Sequence, residues 1–138
     1  MPNGFMGSAD EWKRMEAPYI RIDPILTAFA ARHGLELQKN YRDADRSLRW
    51  SDEINRAIWV HFMGKHGPSG TYEVSVIAFQ DRGDPRSQRY IKSGIVADGV
   101  SVDELDRVLE RARRILASWT PSDLDPPTPK GARVTPRL

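Results

Sequence analysis

The stretch "RSLRWSDEINRAIWVHF", residues 46–62, decides how the chain is built. Its second half alternates: Ile58, Val60 and Phe62 fall on one side, and Ala57, Trp59, His61 and Met63 on the other. A period of two is the signature of a strand with one buried face. Trp50 keeps phase with Leu48 and belongs with the core. Trp59 is out of phase with Ile58 and Val60 and belongs to the second face. The turn-forming "DEIN" between the two halves predicts a hairpin with strands at 46–51 and 56–63.

Similar runs lie on either side. "LELQKNY" (35–41), "TYEVSVIAF" (71–79) and "RYIKSGIVA" (89–97) are set apart by "RDAD", "GKHGPSG" and "QDRGDPRSQ". These breaks are rich in Gly, Pro, Asp, Asn and Ser, so the five runs predict an antiparallel meander of about five strands. In the fourth run Tyr72, Val74, Val76 and Ala78 share the core face, opposite Thr71, Glu73, Ser75, Ile77 and Phe79.

Helices flank the meander. In "DPILTAFAARHG" Asp23 suits a cap, Pro24 the first helical position and Gly34 the left-handed C-terminal cap, while Ile25, Leu26, Phe29 and Ala30 form one stripe. "SVDELDRVLERARRILASW" opens with Ser101 and Glu104 in capping-box spacing, and its apolar residues recur from Val102 to Trp119 at threes and fours. Acids gather at its start and Arg111, Arg113 and Arg114 later, as the helix dipole favours; Glu110 and Arg114 make an i,i+4 pair.

The fold class expected is therefore α+β: a five-stranded antiparallel sheet with an N-terminal and a C-terminal helix on one face. Residues 1–22 read as an arm, 23–119 as one domain and 120–138, with five prolines, as a disordered Pro-rich tail. The second face is open, or covered by the arm, which offers Phe5, Met6, Trp12, Met15, Tyr19 and Ile20.

Symmetric loops set an expected register. About "GKHGPSG", Val60 pairs with Val74, Phe62 with Tyr72, Trp59 with Ser75 and His61 with Glu73. About "DEIN", Trp50 sits beside Ile58 and Arg49 beside Trp59. About the next loop, Phe79 meets Tyr90 and Ile77 meets Lys92. The second face then carries Arg49, Trp59, His61, Met63, Glu73, Ile77, Phe79, Tyr90 and Lys92. Aromatic residues with arginine are what interface centres are enriched in. His61 facing Glu73 would favour a protonated imidazole and a weakly pH-sensitive face.

Composition narrows the chemistry. The 138 residues hold 39% hydrophobic and 29% charged residues, ordinary for a globular domain, and no cysteine, which removes disulfides, thiol catalysis and cysteine-held metals. Twenty-one Lys and Arg against nineteen Asp and Glu give a net charge of +2, too small for general polyanion affinity. His61 and His66 have helical ligand spacing but fall in a strand and a loop, and with His33 the only other histidine no metal site is expected. No nucleophile elbow, phosphate-binding loop or dinucleotide fingerprint occurs, so no catalytic residue and no cofactor are assigned. "RGD" at 82–84 is a chance tripeptide in a turn. Lys130, Arg133 and Arg137 read as solubility charges.

The expectation is a small non-catalytic protein-binding module of adaptor, inhibitor or immunity type, or secretion-chaperone-like, which binds a protein partner, or itself as a homodimer, through the face bearing Trp59. Single-stranded nucleic acid is the alternative, using that face with Arg82, Arg86 and Arg89 around Tyr90. A small-molecule or enzymatic pocket between sheet and arm comes third. No leader and no long apolar run is read, so a cytoplasmic protein is expected, with no membrane partner. The excess of arginine over lysine suggests a bacterial source.

Overall fold

The computed structural model describes residues 7–40, 45–64, 70–83, 88–127 and 135–138. Its elements follow the chain as helices α1 (Ala9–Ile20) and α2 (Asp23–His33), strands β1 (Glu36–Asn40), β2 (Asp45–Ser51), β3 (Asn55–Phe62), β4 (Tyr72–Asp81) and β5 (Arg89–Val100), and helix α3 (Val102–Ser118). The strands form one antiparallel sheet in the order β1-β2-β3-β4-β5, each paired with its neighbour in sequence. This is the α+β meander that the alternation predicts.

One face of the sheet is the floor of the core. Leu48, Ile58, Val60, Tyr72, Val74, Val76 and Ala78 are each at most 2% exposed, and Leu26 and Phe29 of α2 and Leu105, Leu109, Ala112 and Leu116 of α3 pack onto them. Each fully buried aliphatic side chain contributes about 1.5–3 kcal/mol. The ends of the helices follow local rules with two differences. Gly34 takes the left-handed conformation, φ 67°, that closes α2. Asp23, expected as a cap, instead turns its carboxylate to Arg46, with Oδ1 2.9 Å from Nε. Ser101 is the N-cap of α3, but its hydroxyl donates to the Glu104 carboxylate at 2.8 Å, where the capping box would have it accept from the Glu104 N–H.

The far end of α3 is capped from the sheet. Arg56 on β3 is 7% exposed and donates to the carbonyls of Leu116 and Trp119, the latter at 2.9 Å. Carbonyls that the last turn leaves without partners thus receive a cation where the helix dipole is negative.

The N-terminal segment corrects the expectation of an arm. Its described residues form α1, capped by Ser8, whose side chain accepts from the Glu11 N–H at 3.1 Å. Tyr19, 1% exposed, enters the core on the helix-bearing side, where its hydroxyl accepts from the Phe62 N–H at 3.0 Å. Tyr72 returns a bond by donating to the Pro18 carbonyl. Arg46, 1% exposed, pairs with Glu16 of α1 and Asp23 of α2 and lies 4.4 Å from the Tyr19 ring centre. A buried cation with two carboxylates and an aromatic face ties both helices to β2.

Of the expected tail, residues 120–127 and 135–138 are described, and the first of these segments packs on the domain. Trp119 and Leu124 are 6% and 4% exposed, a 3-10 turn spans Pro121–Asp123, and Asp125 and Ile91 exchange both backbone hydrogen bonds at 3.0 and 3.1 Å. Two large apolar side chains within six residues of the end of α3 keep this segment on the domain. Residues 136–138 also meet β5, through bonds at Ile95.

Candidate functional site

The face opposite the helices is built of β2 to β5. Ser47 and Ala57, both 0% exposed, form its small-residue floor, overlain by the longer side chains of their neighbours. Trp59, opposite Ser47 on one side and Ser75 on the other, is half-buried. Ile77 lies between Ala57 and Ser93, and Phe79 between Asn55 and Ile91. Ile95 stands opposite Ser75. Trp59, Phe79, Ile91 and Ile95 thus neighbour Ile77 along or diagonally across the strands, and the five, all half-buried, make one aromatic and aliphatic patch.

Arginines frame it. The Arg49 guanidinium lies 5.2 Å from the Trp59 ring centre, and that of Arg89 lies 4.5 Å from the Phe79 ring centre. Arg89 also pairs with Asp81 at 3.6 Å, both groups exposed. A guanidinium over an aromatic ring keeps the ring rigid and leaves its own edge N–H groups available for an acceptor.

The β3–β4 register is the one expected, with Val60 opposite Val74, Trp59 opposite Ser75 and His61 opposite Glu73. The β2–β3 register is displaced by two residues: Leu48 faces Ile58 and Arg49 faces Ala57. Faces survive a shift of two, so Arg49 reaches Trp59 diagonally and Trp50 packs against the core. No hydrogen bond or ion pair joins His61 to Glu73 among the described residues, although the register sets them opposite one another.

The β4–β5 register corrects two expected site residues. Phe79 pairs with Ile91, not Tyr90, and Ile77 with Ser93, not Lys92. A one-residue slip turns every side chain over. Tyr90 and Lys92 therefore lie on the helix-bearing face, Tyr90 packed against the core and the Lys92 amine 5.1 Å from the Trp119 ring centre. The same slip brings Ile91 and Ile95, absent from the expected set, into the patch. The cause is the loop. β4 runs on to Asp81, which pairs with Arg89, so an odd number of residues, 82–88, joins the strands.

That slip also divides the residues of the nucleic-acid reading. Arg82 stacks on Tyr90, 4.4 Å from its ring centre, whereas Arg89 stacks on Phe79 of the opposite face. Arg86 lies outside the described residues, as does His66. A groove of about 220 Å³ at one end of the face touches Arg49, Phe79, Glu36 and Arg56. It is smaller than the ~300–1,000 Å³ of typical ligand pockets. No three His, Asp or Glu side chains gather in a way that could hold a metal ion among the described residues. No described helix is long and apolar enough to cross a membrane.

Comparison with family models, with curated proteins and with solved structures returned no match. The assignment of this face therefore rests on its own geometry.

Proposed function

We propose that the chain is a non-catalytic protein-binding module, of adaptor, inhibitor, immunity or secretion-chaperone type, working in a bacterial cytoplasm through the face of the sheet that bears Trp59. One observation carries this reading: Trp59, Ile77, Phe79, Ile91 and Ile95 adjoin one another on the face away from the helices, with Arg49 and Arg89 stacked at the margin. Contiguous apolar patches on a solvated sheet mark interaction surfaces. An aromatic centre depleted of charge and edged by arginine is the composition of protein interfaces, not of polyanion grooves. Glu36, Glu73 and Asp81 share the face, which disfavours a phosphate backbone.

The test is site-directed photo-crosslinking from position 75, beside Trp59, in the cell of origin, with light scattering of the purified chain. The expected result is one crosslinked product with a different protein, lost on Ile77→Asp while the melting temperature stays within a few degrees. A product containing only a second copy, or none, overturns the adaptor reading. Affinity for mixed oligonucleotides falling steeply with salt would replace it with the nucleic-acid reading.

A further inference from the structure

β5 is an edge strand of twelve residues, and the chain covers that edge at two places, with Asp125 at Ile91 and with its own last described segment at Ile95. The Ile95 N–H donates to the Pro136 carbonyl at 2.8 Å, and the Leu138 N–H donates to the Ile95 carbonyl at 2.9 Å. Ile95 is bracketed by residues on either side of Arg137, the pattern of a parallel pair. Two side chains add to the backbone pairing: Arg137 forms an ion pair with Asp98, and Leu138 lies over Gly94.

Gly94 is the informative residue. It is buried in the middle of a strand, and it is not among the glycines with positive φ, so its backbone does not require glycine. A glycine inside a strand weakens it and marks the close approach of another group. Here a Cβ would lie 2.6 Å from each terminal methyl carbon of Leu138, deep inside contact distance. The missing side chain is a notch that fits a branched aliphatic group. The group filling it is held lightly: Leu138 remains 40% exposed, and the Arg137 side chain is mostly in solvent.

We infer that the β5 edge is a strand-addition site for an extended peptide of a partner protein, one that runs parallel to β5 and places a basic residue at Asp98 and the branched aliphatic residue after it at Gly94, and that residues 136–138 occupy the site as a tethered copy of that ligand. Strand addition takes affinity from main-chain bonds and selectivity from such side-chain seats. A tether supplies an effective concentration on the order of millimolar, enough to fill a weak site without closing it to a longer competitor. This site meets the face bearing Trp59 at Ile95, whose backbone it uses and whose side chain belongs to that face, and it stands whether or not that face binds a protein.

The test uses the full chain with Arg137→Ala and Leu138→Gln, which releases the segment, and a synthetic peptide of residues 132–138. Nuclear magnetic resonance should show saturable shifts of the Ile95 and Asp98 amides, with affinity at least tenfold above that of the unaltered chain. Gly94→Val in the released background should abolish them. Should that variant not fold, Asp98→Arg should weaken the peptide severalfold, and exchanging the peptide's basic residue for Glu should restore it. Trp59→Ala should leave the titration unchanged. Equal affinity in released and unaltered chains, absence of saturable shifts, or dimerisation of the released chain without a peptide response would each overturn the inference.

Discussion

Arg49 and Trp59 meet diagonally across β2 and β3, the guanidinium 5.2 Å from the indole ring centre, on the side of the sheet that the helices leave alone. An exposed pair of this kind contributes about 0.5–1 kcal/mol. Arg49→Ala is expected to cost that much in urea denaturation and Trp59→Ala about 1 kcal/mol. Phe29→Ala, in the core at 0% exposure, should cost about 3–5 kcal/mol. A loss for Trp59→Ala as large as for Phe29→Ala would mean that Trp59 packs internally.

Arg56 holds the end of α3 by donating to two carbonyls, those of Leu116 and Trp119. Arg56→Met leaves both without that donor and should destabilise the fold by about 3 kcal/mol. Arg56→Lys should recover less than half of this, because a single ammonium cannot reproduce the fork of the guanidinium. Circular dichroism melts of the three proteins decide the point.

Arg46 joins Glu16 and Asp23 at 2% side-chain exposure, and the two carboxylates raise its pKa against the opposing pull of burial. Arg46→Ala abandons two acids beside the core and should cost about 3–5 kcal/mol. Because Glu16 lies on α1, limited proteolysis should cut the variant within residues 9–20 well before the rest of the domain.

Two titrations bound the stable range of pH. Hydrogen bonding from Arg113, helped by Arg114 and by His33 at 3.3 Å, lowers the Glu110 carboxyl from 4.5 to about 2. A lowered carboxyl stabilises the fold above its unfolded pKa, and the benefit fades as pH falls from about 4.5 toward 2. Glu110→Gln should flatten the acid limb of melting temperature against pH. At the other end, burial lifts Tyr19 from 10.0 to about 12. The neutral phenol stabilises the fold below pH 10, and that contribution is lost between about 10 and 12. Ultraviolet titration should show a late tyrosine that disappears in Tyr19→Phe.

The alternation in residues 56–62 and 72–79 made the two faces of the central hairpin legible, because a one-residue slip would expose the core, and the symmetry of the loop between them supplied the pairing of Val60 with Val74. The loop after β4 left no such mark: pairing Phe79 with Tyr90 puts an even number of residues between the strands where the fold has the odd 82–88, and the outer hairpin is therefore displaced by one residue. A β-bulge between β4 and β5, near Val74, adds a further shift that turn composition does not encode. Helix α1 had a readable signal, because Ser8 and Glu11 repeat the spacing found at Ser101 and Glu104. Its sparse apolar residues and Pro18 masked that signal. The candidate patch was half legible: Trp59, Ile77 and Phe79 follow from phase alone, whereas Ile91 and Ile95 depend on the register of β5.

A sheet whose spatial order is its order of synthesis has a consequence for the nascent chain. Every strand pairs with its neighbours in sequence, so the five-stranded ladder needs no strand made after β5. Its apolar floor, however, waits for Leu105, Leu109, Ala112 and Leu116, which are made after the last strand. At ~5–20 residues per second, the seventeen residues of α3 take about 1–3 s, an interval in which Val74, Val76 and Ala78 lack part of their cover and are open to chaperones.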